Sequence, residues 1–322
     1  MTQQISSPAP RQGRRYALIT PCRDEAQYMR RTLDSVVAQT EHPALWLVVD
    51  DGSTDATPQI LAEYAAQYDW IRVVPKPNRG QRAVGPGVIE AFYFGLDQIS
   101  MDDFDYVCKF DLDLEMPSRY FEILMDRMEA NPRLGSCSGK PWFTWNGGKV
   151  SEKCGDEMSV GMTKFYRVQC FKEIGGFVRE VMWDAIDCHK SRQLGWQAQA
   201  FNDPELSFEH LRPMGSSQKS VYTGRMRHGY GQYFMGSSFW FFTASCIFRM
   251  AHPPYITGGL ASWWGYVRSA LQKKPQLPDP ELRTFIRDYQ RNALIKGKNK
   301  AIAEIDARQA AVFARSHAVR AM

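Results

Sequence analysis

The chain has 322 residues, of which 44% are hydrophobic and 23% charged, a composition typical of a globular protein with a substantial core. A net charge of +5 is too small to indicate nucleic-acid binding by itself, and it suits an anionic ligand or an anionic lipid surface equally well. Seven dispersed cysteines without a C-x-x-C pair exclude a disulfide framework and predict reduced thiols.

The N-terminal residues and the hydropathy pattern predict a protein outside the secretory route. Residues 1–13 are polar, lack the apolar core of a signal peptide and are expected to form a disordered tail. No stretch approaches the roughly 20 apolar residues that a membrane-spanning helix needs. We therefore expect a soluble, cytosolic chain.

The first third of the chain alternates strand and helix patterns. The predicted strands are Tyr16–Thr20, Leu45–Val49, Ile71–Val74 and Tyr106–Phe110, and the predicted helices are Glu25–Gln39, Thr57–Tyr68 and Val88–Ile99. Strands that are wholly apolar and alternate with helices predict an α/β fold with a mostly parallel central sheet, covered on both faces. Ligands of such sheets lie beyond the carboxyl ends of the strands, so we expect the site after Pro21, Asp50 and Asp111.

Beyond Pro117 the pattern is mixed. Helices are predicted at Tyr120–Met128 and Ala185–Leu194, and extended segments at Ser138–Thr144, Lys164–Gln169, Trp196–Phe201 and Leu206–Phe208. From Tyr230 the chain becomes rich in Phe, Trp and Tyr, and from Pro278 it is polar and helix-prone. We expect a catalytic domain over residues 14–229, aromatic-rich helices over 230–275 and a polar helical tail over 276–322.

Two acidic clusters follow predicted strands: D-D-G-S-T-D at residues 50–55 and D-L-D at residues 111–113. In extended backbone, side chains two residues apart share a face, and carboxylates hold Mg²⁺ together with substrate phosphates. Each cluster alone can also be explained by a structural role without metal binding. D-x-D can be a solvated turn, and D-G-S-T-D can be a turn that precedes a helix capped by Asp55 or Thr57.

Several short motifs occur in a specific order with specific spacing. They are P-C-R-D-E at 21–25, the two acidic clusters, N-R-G at 78–80, G-G-F at 175–177 and W-D at 183–184. Over about residues 16–210 the chain resembles the family 2 glycosyltransferases, in particular membrane-associated transferases of bacterial polysaccharide assembly. The resemblance implies a GT-A fold and inverting transfer of a sugar from a nucleotide-diphosphate sugar, most commonly UDP-linked, with Mn²⁺ or Mg²⁺.

The resemblance also implies which residues bind the donor and the metal. The expected donor-binding residues are Thr20, Pro21, Arg23, Glu25, Asp51, Asn78, Arg82, Asp111, Arg225 and His228. Asp111 and Asp113 are expected to hold the metal, with His210 as a further candidate ligand or, equally, a structural histidine. Arg82 fits a surface position equally well. The Q-x-x-R-W motif of processive members is absent, which argues against a polymer-extruding synthase.

The same resemblance points to a catalytic base. Processive members carry T-E-D followed at fixed spacing by R-G-W, and this chain has W-D at 183–184 and L-G-W at 194–196 with that spacing. This implies that Asp184 accepts the proton of a hydroxyl acceptor. Because T-E is replaced by Met182-Trp183, Asp187 stays open as the alternative. Asp184 could also be the N-cap of the following helix.

The aromatic-rich segment has two interpretations: a buried helical hairpin, or C-terminal amphipathic helices at a membrane surface. Glycine and proline breaks, short runs and basic flanks at Arg249, Arg268 and Lys273 favour the second. We therefore expect a lipid-linked or other saccharide acceptor, a peripheral location at the inner face of the plasma membrane and no nucleic-acid partner. Two alternatives are a polyprenyl-phosphate sugar synthase of the dolichol-phosphate mannose synthase type and an inactive nucleotide-sugar-binding scaffold.

Overall fold

The computed structural model describes residues 14–77, 85–152, 154–212, 220–252 and 254–318, and these residues form two compact units. The first unit holds the described residues of Met1–Arg179 and Gln197–Pro213. The second holds those of Glu180–Trp196 and Met214–Met322. The predicted disordered tail and the N-R-G motif lie outside the described residues.

A mostly parallel sheet organises the first unit. The described strands are β1 (Tyr16–Cys22), β2 (Leu45–Asp50), β3 (Ile71–Pro75), β4 (Tyr106–Phe110), β5 (Leu114–Glu115), β6 (Leu134–Ser138), β7 (Pro141–Trp145), β8 (Gly148–Ser151), β9 (Thr163–Arg167), β10 (Gln197–Ala200) and β11 (Phe208–His210). Seven of these strands form one sheet in the order β10-β6-β9-β4-β1-β2-β3, in which β9 is antiparallel to its neighbours. The predicted α/β fold is confirmed. The smaller sheet, β5-β11-β7-β8, lies in the same unit.

Five helices accompany these strands: α1 (Met29–Val37), α2 (Thr57–Gln67), α3 (Pro86–Leu96), α4 (Tyr120–Ala130) and α5 (Val168–Glu173). Every residue of β2 and β4 is buried, as expected for strands covered on both faces. Helix α1 begins later than predicted because the backbone N–H groups of Glu25 and Ala26 donate to Thr57 Oγ1 and Asp55 Oδ2, which keeps those residues in a loop.

Three predicted extended segments differ from the structure. Ser138–Thr144 is divided between β6 and β7 at Gly139, where an added Cβ would lie 1.8 Å from the carbonyl oxygen of Leu206. Lys164–Gln169 is strand only as far as Arg167, where α5 follows. Leu206 ends a short 3-10 turn, so the strand begins at Phe208 instead. The divided strand has a steric cause, since only glycine fits so close to another backbone.

The second unit is helical among its described residues. Its helices are α6 (Trp183–Gln193), α7 (Val221–Met235), α8 (Phe239–Arg249), α9 (Thr257–Leu271), α10 (Pro280–Lys296) and α11 (Lys298–Ala318). The polar helical tail corresponds to α10 and α11. No helix in the described ranges is both long enough and apolar enough to cross a membrane.

The boundary between the units differs from the predicted one at residue 229. Helix α6 belongs with the later helices because Lys190 Nζ lies 2.7 Å from Asp279 Oδ2 and Gln309 Nε2 donates to the carbonyl oxygen of Gln193 at 3.1 Å. These contacts join residues about a hundred positions apart, and the sequence pattern gives no sign of them.

Candidate active site

The loops that follow β1 and β2 are joined by hydrogen bonds. The backbone N–H of Asp24 donates to Ser53 Oγ at 3.0 Å, and the N–H of Thr54 donates to Asp24 Oδ1 at 2.7 Å. The Asp55 carboxylate accepts from the N–H of Thr57 at 2.9 Å, while Ala56 is the N-cap of α2. Much of the D-D-G-S-T-D cluster is therefore a structural turn, and the predicted N-cap at Asp55 or Thr57 is off by one residue.

Asp51 stands out in this turn because it faces a cation. Lys76 Nζ lies 2.9 Å from Asp51 Oδ1, and Arg23 Nη1 donates to the Asp51 carbonyl oxygen at 2.9 Å. The Asp51 and Lys76 side chains are largely buried. The strand ends thus bring together Arg23, Asp51 and Lys76, the first two of which the sequence had predicted.

Thr20 and Pro21 lie at the end of β1, next to this turn. Thr20 is fully buried, and its hydroxyl accepts a hydrogen bond from Trp46 Nε1 at 2.9 Å. Its side chain therefore supports the pairing of β1 with β2, and the contact of Thr20 with the donor stays a prediction. Pro21 is half-buried.

The D-L-D segment follows β4, and its backbone is held by helix α1. Thr32 Oγ1 donates to the carbonyl oxygen of Leu112 at 2.8 Å and accepts from the N–H of Leu114 at 3.0 Å. The carbonyl oxygen of Asp113 accepts from the N–H of Leu211 at 2.8 Å. A buried threonine on α1 thus fixes the loop that carries both predicted metal ligands.

The Asp113 carboxylate is surrounded by positive groups. Arg212 donates to Asp113 Oδ2 through Nε at 3.0 Å and Nη2 at 2.7 Å, and Nη2 also lies 2.9 Å from Glu25 Oε1. His210 Nε2 lies 3.7 Å from Asp113 Oδ2, and His210 Nδ1 lies 2.9 Å from Glu152 Oε2. The cluster therefore joins four separate segments of the first unit.

These contacts shift the pKa values of the cluster in opposite directions. Burial alone would raise the pKa of Asp113, but the hydrogen bond from His210 and the charge of Arg212 hold it below its ordinary value. Burial opposes the charged form of His210, yet Asp113 and Glu152 together raise its pKa to about 9. His210 is therefore an imidazolium at neutral pH when only protein groups surround it.

Asp111 has a different environment. Its Oδ1 lies 2.5 Å from Lys109 Nζ, and its side chain is partly open to solvent. Removal from bulk water raises the pKa of Asp111, Lys109 opposes this, and the neighbouring Asp113 charge adds to it. The end of β4 thus carries two neighbouring carboxylates, of which Asp113 is buried and Asp111 is partly exposed.

The residues at this strand end fit a hard divalent cation. Asp113 Oδ1 is buried and has no hydrogen-bond partner within the described ranges. A buried carboxylate oxygen without a partner is costly, and a cation would satisfy it. No group of three or more His, Cys, Asp or Glu side chains that could hold a metal ion is found in the part of the chain that the structure describes. In Mg²⁺ sites, one or two carboxylates hold the ion and substrate phosphates complete the shell.

The two candidates for the catalytic base lie on α6 in the second unit. The N-cap of α6 is Met182 in a left-handed conformation, and Asp184 lies within the first turn, so the interpretation of Asp184 as the N-cap is wrong. Asp184 is half-buried, whereas Asp187 is 2% exposed and its Oδ1 accepts from the N–H of Cys188 at 2.7 Å. Of the two carboxylates, Asp184 is the more accessible.

The remaining predicted donor residues fall on α7 or outside the described residues. Asn78 and Arg82 lie outside them. Arg225 and His228 lie on α7, where burial and the charges of Arg249 and Arg225 lower the pKa of His228 to about 3. His228 is therefore neutral at ordinary pH, and only Arg225 of this pair could bind a diphosphate as a cation.

Four residues of the first-unit clusters were not predicted from the sequence: Lys76, Lys109, Glu152 and Arg212. Two of them lie two positions from a predicted residue at the end of a strand, Lys109 before Asp111 and Arg212 after His210. The rule that such residues share a face could have found them. Glu152 gives no comparable signal, because its partner is 58 positions away.

Comparison with known proteins concerns the family and the fold of this chain. The family model for glycosyl transferase family 2 matches residues 17–178, half of the chain. An uncharacterized protein of Mycobacterium tuberculosis is 50% identical over 46 residues, which are 14% of this chain and 13% of that protein. The poly-β-1,6-N-acetyl-D-glucosamine synthase of Staphylococcus epidermidis is 25% identical over 126 residues, 39% of this chain and 28% of the synthase. The matched region is thus a small part of these relatives.

Solved structures share the fold. A mannosyltransferase from Pyrobaculum calidifontis, in complex with GDP-Man and Mn²⁺, superposes with a TM-score of 0.50 at 19% identity and covers 94% of this chain and 86% of its own. GalNAc-T7 with UDP, GalNAc and Mn²⁺ gives a TM-score of 0.58 at 13% identity, over 90% of this chain and 56% of the other. At such identities the likeness concerns the fold alone.

Proposed function

The chain belongs to glycosyl transferase family 2 and has the GT-A fold, and on that basis we propose that it is a metal-dependent, inverting glycosyltransferase. Its donor is a nucleotide-diphosphate sugar, with UDP as the proposed carrier, and its acceptor is a hydroxyl group. The observation that carries this proposal is Asp113, a buried carboxylate with one oxygen that lacks a partner within the described residues, beside Asp111 at the end of β4.

The proposed roles follow from the charge that develops on the leaving diphosphate. A divalent cation held by Asp111 and Asp113 would stabilise that charge. Lys109 and Arg212 add fixed positive charge around the two carboxylates. Asp51, with Lys76 beside it, offers an acceptor and a donor for the edge of the nucleotide base.

We assign the general base to Asp184. A hydroxyl is a weak nucleophile, and a carboxylate in hydrogen-bond reach accelerates its attack by accepting the proton. Accessibility supports Asp184 over Asp187, since Asp187 is almost fully buried. With a single base and in-line attack, the configuration at the anomeric carbon is inverted.

The proposed acceptor is a lipid-linked saccharide in polysaccharide or glycan assembly, at the cytoplasmic face of the plasma membrane. The saccharide part of the proposed acceptor is supported by a relative that is named as a polysaccharide synthase and matches over 39% of this chain. The lipid part is supported by the exposed aromatic side chains of the second unit.

The test uses paired variants of the full chain. Asp184→Asn keeps the shape of the side chain but removes the proton acceptor, and transfer from a UDP-sugar to a hydroxyl acceptor should fall by about 10²–10⁴-fold. Binding of UDP, measured by calorimetry, should stay unchanged, because the base acts on the acceptor. Asp187→Asn is the matched control and should cost much less.

Two results would contradict the assignment. Loss of transfer in Asp187→Asn alone would move the base to Asp187. Full transfer in both variants would mean that the acceptor needs no deprotonation, as for the phosphate oxygen of a polyprenyl phosphate, which is already anionic.

A further inference from the structure

Helix α9 exposes its large apolar side chains and buries its small ones. Leu260, Trp264 and Leu271 are 50%, 48% and 72% exposed. The buried residues of this helix are mostly small: Gly258, Gly259, Ser262, Gly265, Tyr266 and Ser269. A helix on the surface of a water-soluble protein has the opposite arrangement, with its large apolar residues facing the core.

Helix α8 also exposes large apolar side chains. Trp240, Ile247 and Phe248 are 75%, 62% and 71% exposed, while Phe242 and Cys246 are buried. The three exposed residues are spaced i, i+7 and i+8, so they share one face of the helix. We call the large apolar side chains of α8 and α9 that are at least 48% exposed the aromatic face: Trp240, Ile247, Phe248, Leu260, Trp264 and Leu271.

The small buried residues let α7 and α9 approach closely. A Cβ added at Gly229 would lie 1.9 Å from the carbonyl oxygen of Ser262, and one added at Gly265 would lie 2.2 Å from that of Met226. Close contact through glycine and serine is common where helices pack in an apolar environment, because large side chains are then free to face outward. The helices thus hold together without burying the aromatic face.

The segment that carries the aromatic face contains charges of one sign. Residues 210–278 contain no Asp or Glu. The basic residues described in that range are Arg212, Arg225, Arg227, Arg249, Arg268, Lys273 and Lys274. Six of these seven lie in the second unit. Exposed apolar side chains on a segment that carries basic and no acidic residues are complementary to an anionic, partly apolar partner.

We propose that the aromatic face docks on the headgroup layer of a bilayer that contains anionic phospholipids. Trp and Tyr are favoured at that depth, because their rings are apolar and their N–H or O–H groups stay hydrated. The exposed side chains of Arg268, Lys273 and Lys274 contact the lipid phosphates. A second copy of this chain fits less well, since it would bring an equally positive surface. This docking rests on the proposed function in one respect, the membrane location of the acceptor, and it adds the class of lipid that holds the enzyme there.

The aromatic part of the proposal is tested by flotation of the full chain with two kinds of vesicle, phosphatidylcholine alone and phosphatidylcholine with phosphatidylglycerol. The double variant Trp240→Ser, Phe248→Ser should bind the anionic vesicles at least about tenfold more weakly than the wild type. Trp145→Ser is the matched control, because Trp145 is 63% exposed on β7 of the first unit. Its binding should equal that of the wild type.

A charge variant tests the choice of lipid. Lys273→Gln should reduce binding to anionic vesicles by about fivefold, since one basic residue near such a surface contributes about that factor. Lys300→Gln, also on an exposed lysine but on α11, should have no effect. Binding of the wild type to phosphatidylcholine alone should be weaker than to the anionic vesicles.

Three outcomes would overturn the proposal. One is equal flotation of Trp145→Ser and the double variant. Another is wild-type binding that does not distinguish the two vesicle compositions. The third is a lipid-free dimer, seen by analytical ultracentrifugation, that the double variant abolishes while vesicle binding stays intact. That result would assign the aromatic face to a second copy. Vesicle binding needs no donor sugar, so it can fail or succeed independently of transferase activity.

Discussion

Replacing Arg212 by methionine should destabilise the protein and make it unusually responsive to Mn²⁺. Arg212 neutralises Asp113 and Glu25, whose side chains are 7% and 6% exposed. Removing one partner of a buried ion pair costs about 3–5 kcal/mol, and the lower end is expected here because His210 still balances Asp113. The free energy of unfolding from urea titration in chelator measures this loss.

Added Mn²⁺ should return much of that stability. An ion that binds only the folded state contributes about 2.7 kcal/mol at about 100 times its dissociation constant. The gain should be larger in Arg212→Met than in the wild type, where the guanidinium competes for the same carboxylate. Arg31→Met is the control: Arg31 lies 2.7 Å from Glu209 but is 55% exposed, and such a pair contributes about 1 kcal/mol or less. Equal Mn²⁺ shifts in all three proteins would refute the argument that Asp113 binds a cation.

Two further predictions concern the second unit. Burial, with two nearby arginine charges, lowers the pKa of His228 to about 3, so below about pH 6 the unfolded chain takes up a proton that the folded chain excludes. As the pH is lowered, the free energy of unfolding of the wild type should therefore fall more steeply than that of His228→Gln, by about 1.4 kcal/mol per pH unit. Urea titrations between pH 7 and pH 5 measure the difference. Gly229→Ala should cost about 1–3 kcal/mol, because its Cβ would clash with the Ser262 carbonyl oxygen, whereas Gly148→Ala on exposed β8 should cost little in thermal unfolding.

The sequence predicts the parallel sheet and both acidic clusters because their signals are local. Apolar runs mark β1, β2 and β4, and D-L-D directly follows one of them. The extended segment at β9 was predicted but its antiparallel direction was not, since strand direction depends on pairing between residues far apart in the chain. Its neighbour β4 is paired through contacts such as Cys108 with Phe165.

Ion pairs are also hard to predict from the sequence, because they join residues that are far apart in the chain. The ion pair between Arg212 and Glu25 joins residues 187 positions apart. No short motif indicates such a pair. The sequence therefore predicts the carboxylates that are candidate metal ligands, but it does not predict the basic residues that neutralise their charge. The hydrogen bond from Trp46 Nε1 to the Thr20 hydroxyl is missed for a related cause, because Trp46 lies on the next strand.

The metal-dependent binding of a nucleoside diphosphate tests the central claim most directly. Calorimetry of UDP with the wild type in Mn²⁺ and in chelator, repeated with Asp113→Asn, separates the protein's own contribution from that of the ion. We expect Mn²⁺ to tighten UDP binding to the wild type at least about tenfold, and to do so far less in the variant, which lacks one of the two carboxylates. UDP binding to the wild type with equal affinity in Mn²⁺ and in chelator would contradict the account.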